Sequence, residues 1–430
     1  MSSGLVSVEA HLGEVLAAMR PLEPVRAGLE AAEGCALAED VTAACPLPSF
    51  DNSAMDGYAV HASDVAGASE GSPVTLPVMD EVPAGDTRTL TVAPGTAVRI
   101  MTGALMPAGA DAVVPVEWTD GGRDSVRISQ PATSGNAIRR RGDDVTEGEV
   151  LLKTGTRLGP AQIALLAAGG HGSALVRPRP RVSVIATGSE LTEPGSPLAP
   201  GRIWDSNSYM LAAAVRQAGG EAVRRWVTDD PAEVLAAIEE ESGAADLLIT
   251  SGGVSMGGEH DVVKAALAGN APAGNAAAPA REATPGREAT PGREAGVAQV
   301  TFRKVAMQPG MPQGFGVVGA NRTPIFTLPG NPVSAFVSFH LFVRPAMDVL
   351  QGQAPGRLPT ARAALAGPVR SPAGKRSFLR GVLDSGTVTP LTGQGSHQLG
   401  ALARANALII VPEQVTSMKE GEVADVMSLL

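Results

Sequence analysis

Apolar positions repeat with a helical period near the start of the chain. Val8, Leu12, Val15, Leu16 and Met19 share one face and Ser7 precedes them as an N-cap, which predicts a helix over 7–19. From about 41 to 160 the texture changes to short β-rich runs broken by Gly and Pro, with strands predicted over 96–101, 112–116 and 125–129. Gly159-Pro160 opens a second apolar helix over 161–168, stopped by Gly169-Gly170. The most regular stretch begins at Arg181. Strands over 182–186, 221–227 and 246–250 alternate with helices over 206–218, 231–241 and 260–268, the second of these capped by Asp230 with Pro231 at its first position. Strands over 300–305 and 324–328 follow, then a long helix from 331 to about 350. This alternation predicts an α/β domain built on a parallel, doubly wound sheet, which binds ligands in loops beyond the carboxyl ends of its strands. From about 355 the pattern is β-rich again, with strands over 377–383, 387–391 and 407–411 that predict a separate C-terminal β domain.

One stretch fits neither period. Residues 281–296 read REATPG, REATPG, REAG after an Ala/Gly/Pro/Asn run, with almost nothing to bury, so the segment from about 268 to 298 is expected to be a disordered insert. Composition narrows the function classes. With 34 basic against 44 acidic residues in 430, the net charge of −10 argues against nonspecific binding to nucleic acid or anionic membrane. Aromatics at 3% are too few for single-strand stacking as the main activity. Cys35 and Cys45 form no CxxC pair, which leaves no disulfide framework and no thiolate zinc site. No apolar run reaches the roughly 18 residues of a membrane span and no signal pattern opens the chain, so a soluble cytoplasmic protein is expected.

Four motifs can carry chemistry. Ser251-Gly252-Gly253-Val254-Ser255-Met256-Gly257-Gly258 lies between a strand and a helix, where inward N–H groups and the helix N-terminus make an anion seat; a tight glycine turn is the plain alternative. It is neither a Walker A loop nor a GxGxxG. Asp261, just inside that helix, can hold a cation beside a phosphate or simply complement the helix dipole. Leu328-Pro329-Gly330-Asn331-Pro332-Val333-Ser334 is a second strand-loop-helix passage, in which Asn331 can act as an N-cap or help form a second anion seat. Phe50-Asp51-Asn52-Ser53-Ala54-Met55-Asp56-Gly57-Tyr58-Ala59 gathers two carboxylates, an amide and a hydroxyl, in a functional cluster or in two successive turns. Arg139-Arg140-Arg141-Gly142-Asp143-Asp144 can grip an oxyanion or remain a solvated charge run. The histidines (11, 61, 171, 260, 340 and 397) show no metal spacing, and no GxSxG elbow occurs.

Taken in order, PLPSFDNSAMDGYAV (46–60), RIMTGALMPAGADAVV (99–114), IRRRGDD (138–144), TGSEL (187–191), DSNS (205–208), DLLITSGGVSMG (246–257) and LPGNPVSA (328–335) resemble the molybdopterin molybdenumtransferase family, the molybdate insertases related to the gephyrin E domain. The ordered set covers most of the chain. The resemblance implies four domains: a discontinuous helical linker domain (1–45 with 145–178), a β-rich domain (46–144), an α/β molybdopterin-binding domain (179–350) and a C-terminal β domain (351–430). It further implies a homodimer that consumes adenylylated molybdopterin and molybdate, releases AMP and uses Mg2+, its cleft shared between subunits. A molybdopterin adenylyltransferase and molybdoenzymes are the implied partner proteins, with no nucleic acid or membrane.

Matching positions assign Asp56, Thr102, Asp144, Glu190, Asp229 and Asp261 to catalysis, with Glu190 and Asp261 as Mg2+ ligands. Arg139, Asp205, Ser206, Asn207, Ser251, Gly252, Gly253, Ser255, Gly257, Pro329, Gly330 and Asn331 would bind substrate. Lys304, Ser334, Arg380 and Ser396 would sit near its phosphate or the oxyanion. Where many relatives have K-P-G-K-P, this chain reads Gln308-Pro309-Gly310-Met311-Pro312; either the oxyanion site is weakened or it moves to Lys304, Arg303 and Arg380. A molybdopterin adenylyltransferase, which needs the α/β domain alone, and a non-catalytic molybdopterin-binding scaffold are the competing readings.

Overall fold

The computed structural model describes residues 4–253, 261–268, 298–356 and 360–429. The 281–296 repeats, together with Ser255 and Gly257, therefore lie outside the described residues. The chain divides into two compact units, one of residues 1–25, 34–36 and 177–430 and one of residues 26–33 and 37–176.

In the larger unit a six-stranded sheet runs in the order Glu221–Val227, Arg181–Thr187, Leu247–Ser251, Thr323–Leu328, Pro312–Val318, Gln299–Lys304. The first four strands are parallel, as the alternating pattern predicts. Pro312–Val318 alone runs against them, antiparallel to both of its neighbours, because short connections and not helices join 299–304 to 312–318 and 312–318 to 323–328. Helices cover both faces, and side chains alternate between two cores. Val184, Leu247, Ile249 and Phe326 pack with Leu211 and Val215 on one side. Ile185, Leu248 and Ile325 pack with Val234, Ile238 and Val263 on the other. The chain leaves Arg181–Thr187 for one flank and returns on the other at Leu247–Ser251, so the loops after these two strands diverge at the topological switch point.

The expected long helix forms over Pro332–Leu350, with a π turn at Phe339–Val343. Contrary to the absence of a span-like run expected above, its 19 residues are long and apolar enough to cross a membrane, since His340, Arg344 and Asp348 break the run without making the helix polar. The helix is 72% buried in the unit's own core, which accounts for its composition. Beyond it, Arg376–Asp384, Thr387–Pro390, Thr360–Leu365, Val423–Ser428 and Ala407–Val411 close into a barrel when the last pairs with the first. Phe378, Leu408 and Met427 of this barrel belong to the same core as the sheet.

The smaller unit carries a five-stranded sheet ordered Ala112–Pro115, Gly57–Val60, Ala97–Ile100, Val74–Val82, Ser125–Ile128. Tyr58, Val60 and Val114 fill one face, Ala59, Val98 and Val113 the other. Gly57 has no substitute here, because a Cβ would lie 2.0 Å from the Val114 carbonyl oxygen.

Candidate functional site

Three neighbouring parallel strands end in glycine-bearing loops, and the backbone itself shapes what lies between them. Gly252 adopts φ +101°, and a Cβ there would sit 2.6 Å from the Thr187 carbonyl oxygen. Gly253 is at φ +62°, with Val263 Cγ2 2.8 Å from where its Cβ would be. A Cβ on Gly330 would stand 3.5 Å from Gly252 Cα, in ordinary van der Waals contact, so the second and third loops lie side by side. These loops surround a cleft of about 1000 Å³ lined by Gly188, Glu190, Asp229, Asp261, Asn331 and Ser334, with Pro329, Gly330, Gly252 and Gly253 in its wall. A smaller pocket of about 100 Å³ adjoins it, sharing Thr187, Glu190 and Gly252 and adding Asp205, Ser206, Asn207 and Ser251.

Asn207 ties the loops together. Its Nδ2 donates to Ser251 Oγ at 2.9 Å and to the Gly330 carbonyl at 2.7 Å. Its Oδ1 and the Thr187 hydroxyl are buried with no hydrogen-bond partner among the described residues, and buried polar atoms of this kind mark where a ligand donates. Asn331 occupies the N-cap position of the long helix, yet its side chain makes no capping bond and stays exposed in the cleft wall. The capping alternative for this residue is therefore not realised. The Val333 N–H is satisfied by the Ser396 carbonyl at 3.0 Å, which places Ser396 at that helix start.

The carboxylates divide by role. Asp229 Oδ2 accepts the Ser189 N–H at 2.7 Å while the Asp229 N–H donates to Ser189 Oγ at 3.1 Å, locking the loop that carries Glu190. Glu190 is exposed in the same cleft, and Asp261 stands buried at the start of the helix Val262–Ala268. Asp205 is buried, and both its oxygens go to Ser208, one to the N–H at 3.0 Å and one to the hydroxyl, so it anchors a helix start at the edge of the smaller pocket. Ser206 precedes that helix without a capping bond. Among the described residues no three His, Cys, Asp or Glu side chains converge on one metal position.

The cations expected to hold an oxyanion lie elsewhere. Arg380 is fully buried, and burial pushes its pKa down. Its guanidinium donates to the carbonyls of Gly393 at 2.6 Å and Gly395 at 3.2 Å, bracing the loop that reaches Ser396. Arg303 pairs with Glu14 at 3.1 Å. Lys304 ends the edge strand, exposed, opposite Pro312. The cleft wall receives Met311 and Pro312 from this region, and neither Lys304 nor Gln308.

The smaller unit joins two motifs that lie far apart in sequence. Asp51 accepts the Arg141 N–H at 2.8 Å and Arg140 Nη1 at 2.8 Å, and these bonds hold its carboxyl below the usual range. Asp56 Oδ1 accepts both the N–H (2.7 Å) and the hydroxyl (2.8 Å) of Thr102, which lower its pKa. Arg139 and Asp144 are exposed nearby in sequence. Thr187 and Trp226 were not singled out by sequence, although the TGSEL run was the available signal for the first; Met311, which the sequence marked as a replaced lysine, does reach the cleft wall.

Three family descriptions match the chain in order. They are the MoeA N-terminal region (domain I and II) over residues 6–170, a probable molybdopterin binding domain over 183–349 and the MoeA C-terminal region (domain IV) over 362–429. Molybdopterin molybdenumtransferase 2 of Mycobacterium tuberculosis is 47% identical over 426 residues, covering 98% of this chain and 99% of its own. The Bacillus subtilis molybdopterin molybdenumtransferase is 36% identical, covering 91% and 86%. A crystal structure of a molybdopterin biosynthesis MoeA protein from Pyrococcus horikosii matches with a TM-score of 0.76 at 31% identity, with 99% of each chain covered.

Proposed function

The chain belongs to the molybdopterin molybdenumtransferase family, and on that premise we propose that it inserts molybdate into adenylylated molybdopterin with release of AMP, assisted by Mg2+. The observation that carries this reading is the cleft at the switch point. Its glycine loops leave room for phosphates against backbone, while the uncapped Asn331 and the orphaned Asn207 Oδ1 and Thr187 Oγ1 offer polar atoms to a ligand.

Mg2+ keeps several waters and commonly takes only one or two carboxylates together with substrate phosphates. The donor set fits that habit: Glu190 and Asp261 line one cleft with Asp229, and among the described residues no three such groups converge on one metal position. Glu190 and Asp261 would hold the ion, which supplies charge neutralisation at the phosphoanhydride being cleaved. Asn331 and Ser334 orient the phosphate oxygens. Asp229 keeps the Glu190 loop in place through Ser189. The reading also takes the protein as a cytoplasmic homodimer, which light scattering and cell fractionation address separately.

The test mixes purified protein, adenylylated molybdopterin, Mg2+ and molybdate and follows AMP. Molybdate-dependent AMP release is expected. In a parallel mixture with molybdopterin, ATP and Mg2+, ATP consumption with pyrophosphate release would instead identify an adenylyltransferase, and binding without turnover in either mixture a scaffold.

A further inference from the structure

An aromatic-poor chain places its exposed polar aromatics together. Of only three Trp and two Tyr, Trp204, Trp226 and Tyr209 are 50%, 49% and 42% exposed. All three surround the small parallel ribbon of Leu191–Thr192 and Ile203–Trp204, which runs on from the Glu190 loop. Their polar ends are already satisfied inside the protein. Trp226 Nε1 donates to the Gly188 carbonyl at 3.1 Å, Trp204 Nε1 to the Ser196 carbonyl at 3.1 Å, and the Tyr209 hydroxyl to Glu193. Each ring is thereby held by its polar edge while much of its apolar surface meets water. Arg224 already lies over the Tyr209 ring, 3.4 Å from its centre, whereas the exposed Trp faces are ready to stack.

One of them borders a pocket. Trp226, Leu191, Thr192, Glu193 and Asp205 enclose about 260 Å³, and Leu191 and Asp205 are also walls of the pocket that adjoins the main cleft. Glu193 supplies a carboxylate on the rim, with Tyr209 and Arg224 both donating to Oε1. Resting on the function proposed above, we infer that this pocket is a subsite for the pterin end of the substrate, stacked on Trp226 and read by Glu193. A 2-amino-4-oxo pyrimidine edge presents two adjacent N–H donors to the Glu193 carboxylate, whose Oε2 is not taken up by Tyr209 or Arg224. The adenine edge sets a ring acceptor beside its amino group, and a carboxylate repels that lone pair. The other end of the substrate, with its phosphates, then reaches the glycine loops of the adjoining cleft.

Free pterin (2-amino-4-oxopteridine) is the probe, its own fluorescence anisotropy the readout, and the full-length protein the host. Trp226→Leu should weaken pterin binding about tenfold or more, and Trp226→Phe, which keeps a ring face, by no more than about threefold. Glu193→Gln, which keeps an oxygen for Tyr209 and Arg224 at an exposed position, should weaken pterin by about tenfold and leave adenosine binding unchanged. Equal pterin affinity in wild type and Trp226→Leu overturns the subsite, as does displacement of pterin by equimolar adenosine. No turnover is read, so the two proposals fail separately. Trp226-dependent pterin binding by a protein that releases no AMP sinks the reaction and keeps the subsite. Molybdate-dependent AMP release with pterin binding indifferent to Trp226 does the reverse.

Discussion

The cleft of the larger unit and the Asp56 site of the smaller one reach their chemistry by different means. Around the cleft the backbone is the scaffold: Gly252 and Gly253 let loops approach to distances that a Cβ would block, and side chains such as Asn207 bridge what the backbone brings together. In the smaller unit exposed side chains do the arranging, with Asp51 tied to Arg140 and Arg141 and Asp56 to Thr102. A site made of packed backbone is rigid and intolerant of added volume. One made of solvated hydrogen bonds is tunable by charge and by pH.

The largest break should come from Gly252→Ala. The new Cβ meets the Thr187 carbonyl oxygen at 2.6 Å in a backbone region costly for an L residue. Thermal melting should show a loss of about 1–3 kcal/mol, and AMP release should fall to background. Asp56→Asn, in contrast, should lower AMP release while leaving the melting curve unchanged, because the side chain is exposed. Equal damage to melting by both substitutions would erase the distinction drawn here.

Next come Glu190→Gln and Asp261→Asn. Each should cut AMP release by about a hundredfold or more, since removing one ligand from a charge-neutralising ion forfeits several kcal/mol of transition-state stabilisation. Titrating Mg2+ separates the outcomes, because wild-type turnover in both variants at limiting Mg2+ denies them this role.

A third test probes the larger unit's core by pH. His11 and His340 are buried, and their pKa values fall to about 4, through burial first and through Arg303 and Arg344 second. Between the unfolded value near 6.5 and about 4 only the unfolded chain takes up these protons. Stability therefore falls as pH drops through that window, by about 1.4 kcal/mol per pH unit for each histidine. Melting from pH 7 to pH 5 should show the decline, and His11→Phe should flatten part of it.

The smallest effect sharpens the picture of the missing lysines. Met311 lines the cleft and Gln308 does not. Met311→Lys alone should therefore lower the molybdate concentration for half-maximal AMP release by about tenfold, the worth of one charge-assisted hydrogen bond. Gln308→Lys should do little. A reversed order in molybdate titrations at fixed low salt would place Gln308 at the oxyanion.

How much of this was legible depended on whether the information was local. Ser7 accepts from the Ala10 N–H at 3.1 Å and Asp230 from the Ala232 N–H at 2.8 Å, as their positions before apolar helices foretold. Strand Glu221–Val227 forms over the predicted residues. Pro312–Val318 went unread because its glycines look like breakers. They are required for close approach, as Cβ atoms at Gly314 and Gly316 would lie 1.9 Å from Thr327 Oγ1 and 2.0 Å from the Gln299 carbonyl oxygen. Val74–Val82 was hidden by Pro77 within the run.

Period, caps and ordered motifs determined the element types, the α/β class and the family, because each is written in neighbouring residues or in their order along the chain. Side-chain destinations were decided only by packing. Asn331 sits in the N-cap position but leaves the cap unused, and Arg380 braces a carbonyl loop and stays out of the cleft. Asp51 finds Arg140 across 89 residues of chain. A cap or an ion pair is a competition among all the groups that tertiary contacts bring within reach, and those contacts exist only once the sheets have closed.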